Sequence, residues 1–170
     1  MGWGRAFTYL KHRLLRISDT PENIAKGLAI GLGVSFTPLL GTHFIQAGLL
    51  ALLMRGNAIA AMIGTFIGNP WTFPFFWWGG FSFGSFLFSF FGIKGAENLP
   101  ETMSLTTMWE LLWTEPWSLF LPWMLGGYIL AFLVIPPSYY IYLNFLKAAR
   151  KAREKAKKMR KKNKIKRPAE

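Results

Sequence analysis

Between Gly27 and Phe91 the chain carries one charged side chain, Arg55. A domain folded in water distributes charges along every element that meets solvent, so a window this long with one cation is not built to be solvated. Its apolar stretches also exceed the ~20 residues needed to cross a hydrocarbon core of about 30 Å. The window is therefore read as embedded in a membrane, together with a further element that runs from Trp117 to about Leu146. Backbone polar groups in lipid must bond within their own segment, which makes the expected fold class an all-α integral membrane protein.

The charges missing from that window collect elsewhere. The chain has Lys+Arg 20 against Asp+Glu 8. Residues 1–26 and 147–170 hold nearly all the cations, whereas 92–116 holds Lys94 against Glu97, Glu101, Glu110 and Glu115. By the positive-inside rule both termini are cytoplasmic and 92–116 is an outer loop. Arg5, Lys11, Arg13 and Arg16 interrupt any signal-peptide core, so the N-terminal segment is expected to be retained. Five regions follow: an interfacial amphipathic helix at 1–20, on which Trp3, Phe7, Leu10, Leu14 and Ile17 share a face; a membrane domain with broken helices at 21–91; the outer loop at 92–116, with an amphipathic piece around Thr106 to Trp113; a transmembrane helix at 117–146; and a polybasic cytoplasmic tail at 147–170.

Within 21–91, Thr20-Pro21-Glu22 signals a helix start: a capping hydroxyl, a proline whose missing N–H costs nothing there, and an acid at the positive helix end. Two proline/glycine breaks then divide the apolar window, Thr37-Pro38-Leu39-Leu40-Gly41-Thr42 and Gly68-Asn69-Pro70-Trp71-Thr72-Phe73-Pro74. Each follows a glycine-rich half-helix, and they are offset by about 32 residues, which reads as a degenerate internal duplication. An outer loop at 92–116 requires an odd number of crossings before it. One broken element must therefore be a re-entrant hairpin. The reading favours Gly27 to Met54, which returns Arg55 to the cytoplasmic side, with Asn57 to Phe91 crossing outward; the reverse assignment is the alternative.

The run PENIAKGLAIGLGVSFTPLLGTH, followed by RGN at Arg55 to Asn57 and GTFIGNPWTFP at Gly64 to Pro74, resembles the bacterial membrane family known as domain of unknown function 2062. The resemblance covers Pro21 to about Phe91. It implies an inner-membrane protein and supplies no reaction.

Enzymatic chemistry has little to work with. The embedded window has no Asp or Glu and one His, which excludes paired-carboxylate hydrolysis there, and the absence of cysteine excludes thiol catalysis and thiolate metal sites. No phosphate-cradling or dinucleotide loop occurs. The expectation is a non-enzyme with no metal and no cofactor. The breaks are more informative, because a half-helix that starts inside a membrane directs free N–H groups and its positive end toward the midplane. The candidate anion-binding residues are Thr37, Pro38, Gly41, Thr42, His43, Arg55, Asn57, Asn69, Pro70 and Thr72. Against that stands the plainer reading, in which the hydroxyls and amide cap backbone groups freed by the prolines, His43 bonds a backbone carbonyl and Arg55 only sets topology.

From Trp71 to Phe91, twelve of twenty-one residues are aromatic, interleaved with Gly79, Gly80, Gly84 and serines. Such a small-residue stripe favours close packing, including self-association into a homo-oligomer. The basic tail has no aromatic after Phe145 to stack on bases, so anionic membrane lipids rather than nucleic acid are its expected partners. Two functions result: a carrier or flippase for an anionic lipid or lipid-phosphate headgroup, and a non-catalytic scaffold for envelope or lipid-glycan enzymes.

Overall fold

A computed structural model describes residues 17–39, 41–68, 71–93, 105–114 and 116–165, all of whose regular elements are helical. In chain order these are α1 (Pro21–Val34), α2 (His43–Leu53), α3 (Ala58–Gly64, prolonged by a 3-10 turn at Thr65–Ile67), α4 (Phe73–Phe90), α5 (Leu105–Thr114) and α6 (Pro116–Ile165). The interfacial helix expected over the first residues lies outside the described region. So do Asn69, Pro70, the whole 94–104 stretch and the end of the tail.

α1 begins where the local chemistry says it should. The Thr20 hydroxyl accepts from the Asn23 N–H at 3.2 Å, with Pro21 in the first turn. It ends by tightening: Ser35, Phe36 and Thr37 each donate their N–H three residues back, to Leu32, Gly33 and Val34. Pro38 follows and the chain reverses. α2 descends and closes in a Schellman arrangement, with Gly56 N–H on Ala51 O (2.7 Å) and Arg55 N–H on Leu52 O (3.1 Å). The left-handed position of that motif is held by Arg55 at φ 52°, where glycine is the usual residue. The Asn57 N–H then bonds Asn23 O at 2.9 Å, so the hairpin has returned to the level of α1's first turn.

α3 rises beside α1 in the same direction. Gly27 faces Asn57 and Ala60, Gly31 faces Ala61 and Gly64, and Gly68 reaches Ser35. The two halves of the sequence repeat therefore lie side by side, in register. A Cβ on Gly31 would fall onto the Ala61 carbonyl oxygen, and one on Gly64 would sit 2.6 Å from the Leu28 carbonyl oxygen. Backbone contact this close needs small residues on both helices.

α4 continues upward from the second break. α6 runs down the full height, antiparallel to both α4 and α1: Pro122 and Gly126 meet Gly84, Gly127 meets Phe36, Ile135 meets Gly33, and Leu146 joins Ile24. Among the described residues one helix, over Leu119–Met159, is long and apolar enough to cross a membrane, despite Pro122, Pro136 and Pro137 within it. α5 packs against α6. The molecule thus has a foot, formed by Asp19, Asn57 and Arg150, and a head, formed by the end of α4 and the start of α6. Phe44, Leu53, Phe75, Phe86 and Phe132 are all exposed between them.

Candidate functional site

The residues predicted to form one site fall at two heights. Thr37, Pro38, Gly41, Thr42, His43 and Thr72 cluster around the breaks. Arg55 and Asn57 sit at the foot, the length of α2 away, roughly 16 Å.

At the breaks the polar atoms are engaged with backbone. Thr37 Oγ1 donates to Val34 O at 2.8 Å, Thr42 Oγ1 to Leu39 O at 2.8 Å, Thr72 Oγ1 to Ile67 O at 2.6 Å and Ser35 Oγ to Gly31 O at 3.1 Å. These hydroxyls are thereby spent on backbone carbonyls within the turns, two of which, Val34 O and Leu39 O, also accept a backbone N–H. Neither Thr42 nor Thr72 caps the helix it precedes. Buried His43 places Nε2 3.1 Å from Thr37 O, an arrangement in which the imidazole fastens the top of α2 to the end of α1. The two breaks do meet, through rings. His43 stacks on Phe73 at 5.4 Å, Phe73 on Trp77 at 5.2 Å, and Phe36 lies 4.7 Å from Phe76. On the outer side of α2 a short polar chain remains: Gln46 donates to Thr42 Oγ1 at 2.5 Å and accepts from the Tyr128 hydroxyl at 2.8 Å.

The foot holds the ionic chemistry. Asp19 Oδ1 accepts from the Thr20 N–H (2.7 Å) and from Asn23 Nδ2 (2.9 Å), while Oδ2 accepts from Asn57 Nδ2 (2.8 Å). Asn57 in turn caps α3 through Ala60 N–H at 2.8 Å. Arg150 donates to the Asp19 carbonyl oxygen, and Lys147 pairs with Glu22 at 2.9 Å. One residue therefore joins three elements: the Asp19 carboxylate ties the start of α1 to that of α3, and its backbone carbonyl holds α6. The hydrogen bond from Asn57, then that from Asn23, hold the Asp19 carboxyl below its ordinary range against a small opposing effect of burial. The Lys147 hydrogen bond lowers Glu22 in the same sense.

Beside this knot lies a cleft of about 830 Å³, between Ile17–Glu22 and the face of α6 that carries Arg150, Arg153, Glu154 and Lys157. Three bases, Arg150, Arg153 and Lys157, and three acids, Asp19, Glu22 and Glu154, line the cleft, and Glu22 is paired with Lys147 outside it. Sequence reasoning placed Asp19 only beside a helix cap and the α6 cations only in a tail. Nothing local reports a contact between residues 131 positions apart, as Asp19 and Arg150 are. Among the described residues no group of three His, Asp or Glu side chains is placed to hold a metal.

A family model described as an uncharacterized protein conserved in bacteria (DUF2062) matches residues 4–155. The match is longer than the resemblance read over Pro21 to Phe91 and takes in α6 as far as residue 155, with every lining residue of the cleft except Lys157. No curated protein matches this chain. No solved structure matches it either.

Proposed function

Taking as premise that the chain belongs to this DUF2062 family of bacterial proteins, we propose that it is an inner-membrane protein, with both termini cytoplasmic, that carries or flips a lipid with an anionic phosphate headgroup. The foot faces the cytoplasm, the α1–α2 hairpin is re-entrant, α3 and α4 cross outward as one broken element and α6 returns. The exposed apolar side chains between foot and head form a belt far larger than soluble surfaces tolerate. Trp109, Trp113 and Trp117, exposed near the head, suit the outer interface.

The observation that carries the headgroup reading is the cleft at the foot. Arg150, Arg153 and Lys157 recur at steps of three and four along one face of α6, opposite the uncapped hydroxyl of Ser18 and the start of α1. A phosphate there meets guanidinium groups suited to bidentate bonding, at the level where headgroups lie. A scaffold is the second reading, favoured by the hydroxyls of the breaks, which are engaged with backbone carbonyls and offer a passing headgroup little.

Native mass spectrometry of the purified protein with its co-purified lipids separates the two. An anionic lipid retained by the wild type and lost from an Arg153→Gln, Lys157→Gln variant supports the carrier. Matching, unselective lipid profiles reject it and leave the scaffold.

A further inference from the structure

Three buried polar atoms among the described residues have no hydrogen-bond partner, and all lie in the upper half: Trp77 Nε1, Trp123 Nε1 and Ser85 Oγ. Trp77 and Ser85 share the face of α4 that also presents Phe81, and Trp123 packs against Phe81 from α6. Trp123 is only 7% exposed, so its indole N–H does not reach bulk water. The indole rings of Trp77 and Trp123 meet edge to face at 5.2 Å. An edge-on indole can rest one N–H on the other ring, a weak contact that still leaves the second N–H and the serine hydroxyl unmatched. Buried donors without acceptors are rare, because each keeps the full cost of leaving water.

Unmatched donors identify what is missing as an acceptor. Its charge can be narrowed. Neither 56–93 nor 116–146 contains a Lys, Arg, Asp or Glu. An anion brought to this seam would lack a counter-charge in an apolar wall, which is strongly unfavourable, whereas a neutral carbonyl oxygen needs only the donors present. Depth narrows it further. From Leu146, at the top of the basic region of α6, to Trp123 is roughly 34 Å of helix, slightly more than a ~30 Å hydrocarbon core. That is the depth of the acyl ester linkages in the far leaflet.

On the membrane reading above, we infer that the α4–α6 seam at Trp77 and Trp123 is a binding site for a diacyl lipid of the outer leaflet, held through an ester carbonyl oxygen that accepts from the two indole N–H groups, with the Ser85 hydroxyl as a further donor on the same face. Trp77 is half-buried, so a small rotation of its ring opens the pair to the lipid. This site is distinct from the cleft at the foot, which recognises charge.

The test uses full-length protein with 15N-labelled tryptophan in nanodiscs of diester phosphatidylglycerol and, separately, of its diether analogue, which has the same headgroup and no ester carbonyl. The indole N–H resonances are assigned with Trp77→Phe and Trp123→Phe, which keep a ring at each position; if one variant fails to fold, selective quenching by a spin label in the outer leaflet assigns its resonance in the wild type. The expected result is a downfield shift of both resonances in the ester lipid relative to the ether lipid, with the exposed Trp71 and Trp78 unmoved. Identical positions in the two lipids overturn the site and leave the membrane reading intact. Failure of the protein to enter the discs, read by co-elution before any resonance is compared, overturns both.

Discussion

Two glycine crossings hold this molecule together, and they treat polar groups in opposite ways. In the lower crossing α1 and α3 run parallel with Gly31 against Gly64, and in the upper one α4 and α6 run antiparallel with Gly84 and Gly126 against carbonyls of Pro122 and Gly80. From the lower crossing up to the breaks, where Thr37 meets Gly127, the buried Ser35, Thr37, His43, Thr65 and Ser138 all bond backbone carbonyls. Around the upper crossing Trp77, Ser85 and Trp123 keep donors without acceptors. Equal closeness of backbone therefore does not mean equal completeness. The lower half satisfies its buried polar groups from its own sequence, and the upper half leaves three of them open, which is what the inferred lipid site rests on.

The largest effects expected are at the crossings themselves. Gly84→Ala puts a methyl onto the Pro122 carbonyl and Gly31→Ala puts one onto Ala61, contacts with backbone that no rotamer relieves. Each is expected to cost about 3 kcal/mol, read as a large drop in thermal midpoint in detergent. Tolerance of either would show that the helices at that crossing are not in backbone contact.

Next is the knot at the foot. Asp19→Ala strands the amides of Asn23 and Asn57 and is expected to cost about 1–3 kcal/mol. Combined with Asn57→Ala, the loss should fall short of the sum of the single losses, because both remove one hydrogen bond. Strict additivity would mean that the bond contributes nothing.

A smaller change, of opposite sign, is expected at Arg55→Gly, which relieves a left-handed arginine and should stabilise by about 0.5–1 kcal/mol. If the variant loses lipid binding or orientation while gaining stability, the charge is what retains arginine there. The smallest effect is on pH dependence. The Asp19 carboxyl is held below its ordinary value of 3.8, so its contribution is complete above that value and disappears as pH falls through the lower folded value. The thermal midpoint should fall more steeply below about pH 4 in wild type than in Asp19→Asn. Parallel curves would contradict the bond from Asn57.

Much of the lower half was legible because its signals are local. Thr20-Pro21 marks a helix start by chemistry that acts within four residues, proline at 38 marks an end, and the glycine-rich half-helices mark the repeat, though not that Gly31 packs on Gly64. The bond from the Asn57 N–H to Asn23 O brings the chain back to the level at which α1 starts; the side of a membrane on which Arg55 lies remains part of the proposal. What the breaks do with their hydroxyls was open, because Thr42 and Thr72 can cap forward or bond backward, and the choice depends on which carbonyls the turn exposes. The foot cleft was hidden because it joins Ile17–Glu22 to a tail that, taken alone, reads as a solvated basic helix. The orphaned indoles were hidden too, since twelve aromatics among twenty-one residues give no reason to single out Trp77.

The central claim is the path of the chain relative to a bilayer, and the chain's lack of cysteine makes it directly measurable. Single cysteines at Arg55, Lys157 and Thr106, each labelled in intact cells and again after permeabilisation with a membrane-impermeant maleimide, report the side on which each residue lies. The account predicts that Thr106→Cys labels in intact cells, while Arg55→Cys and Lys157→Cys label only after permeabilisation. Labelling of Arg55→Cys from the same side as Thr106→Cys would contradict the re-entrant hairpin and, with it, this arrangement of foot and head.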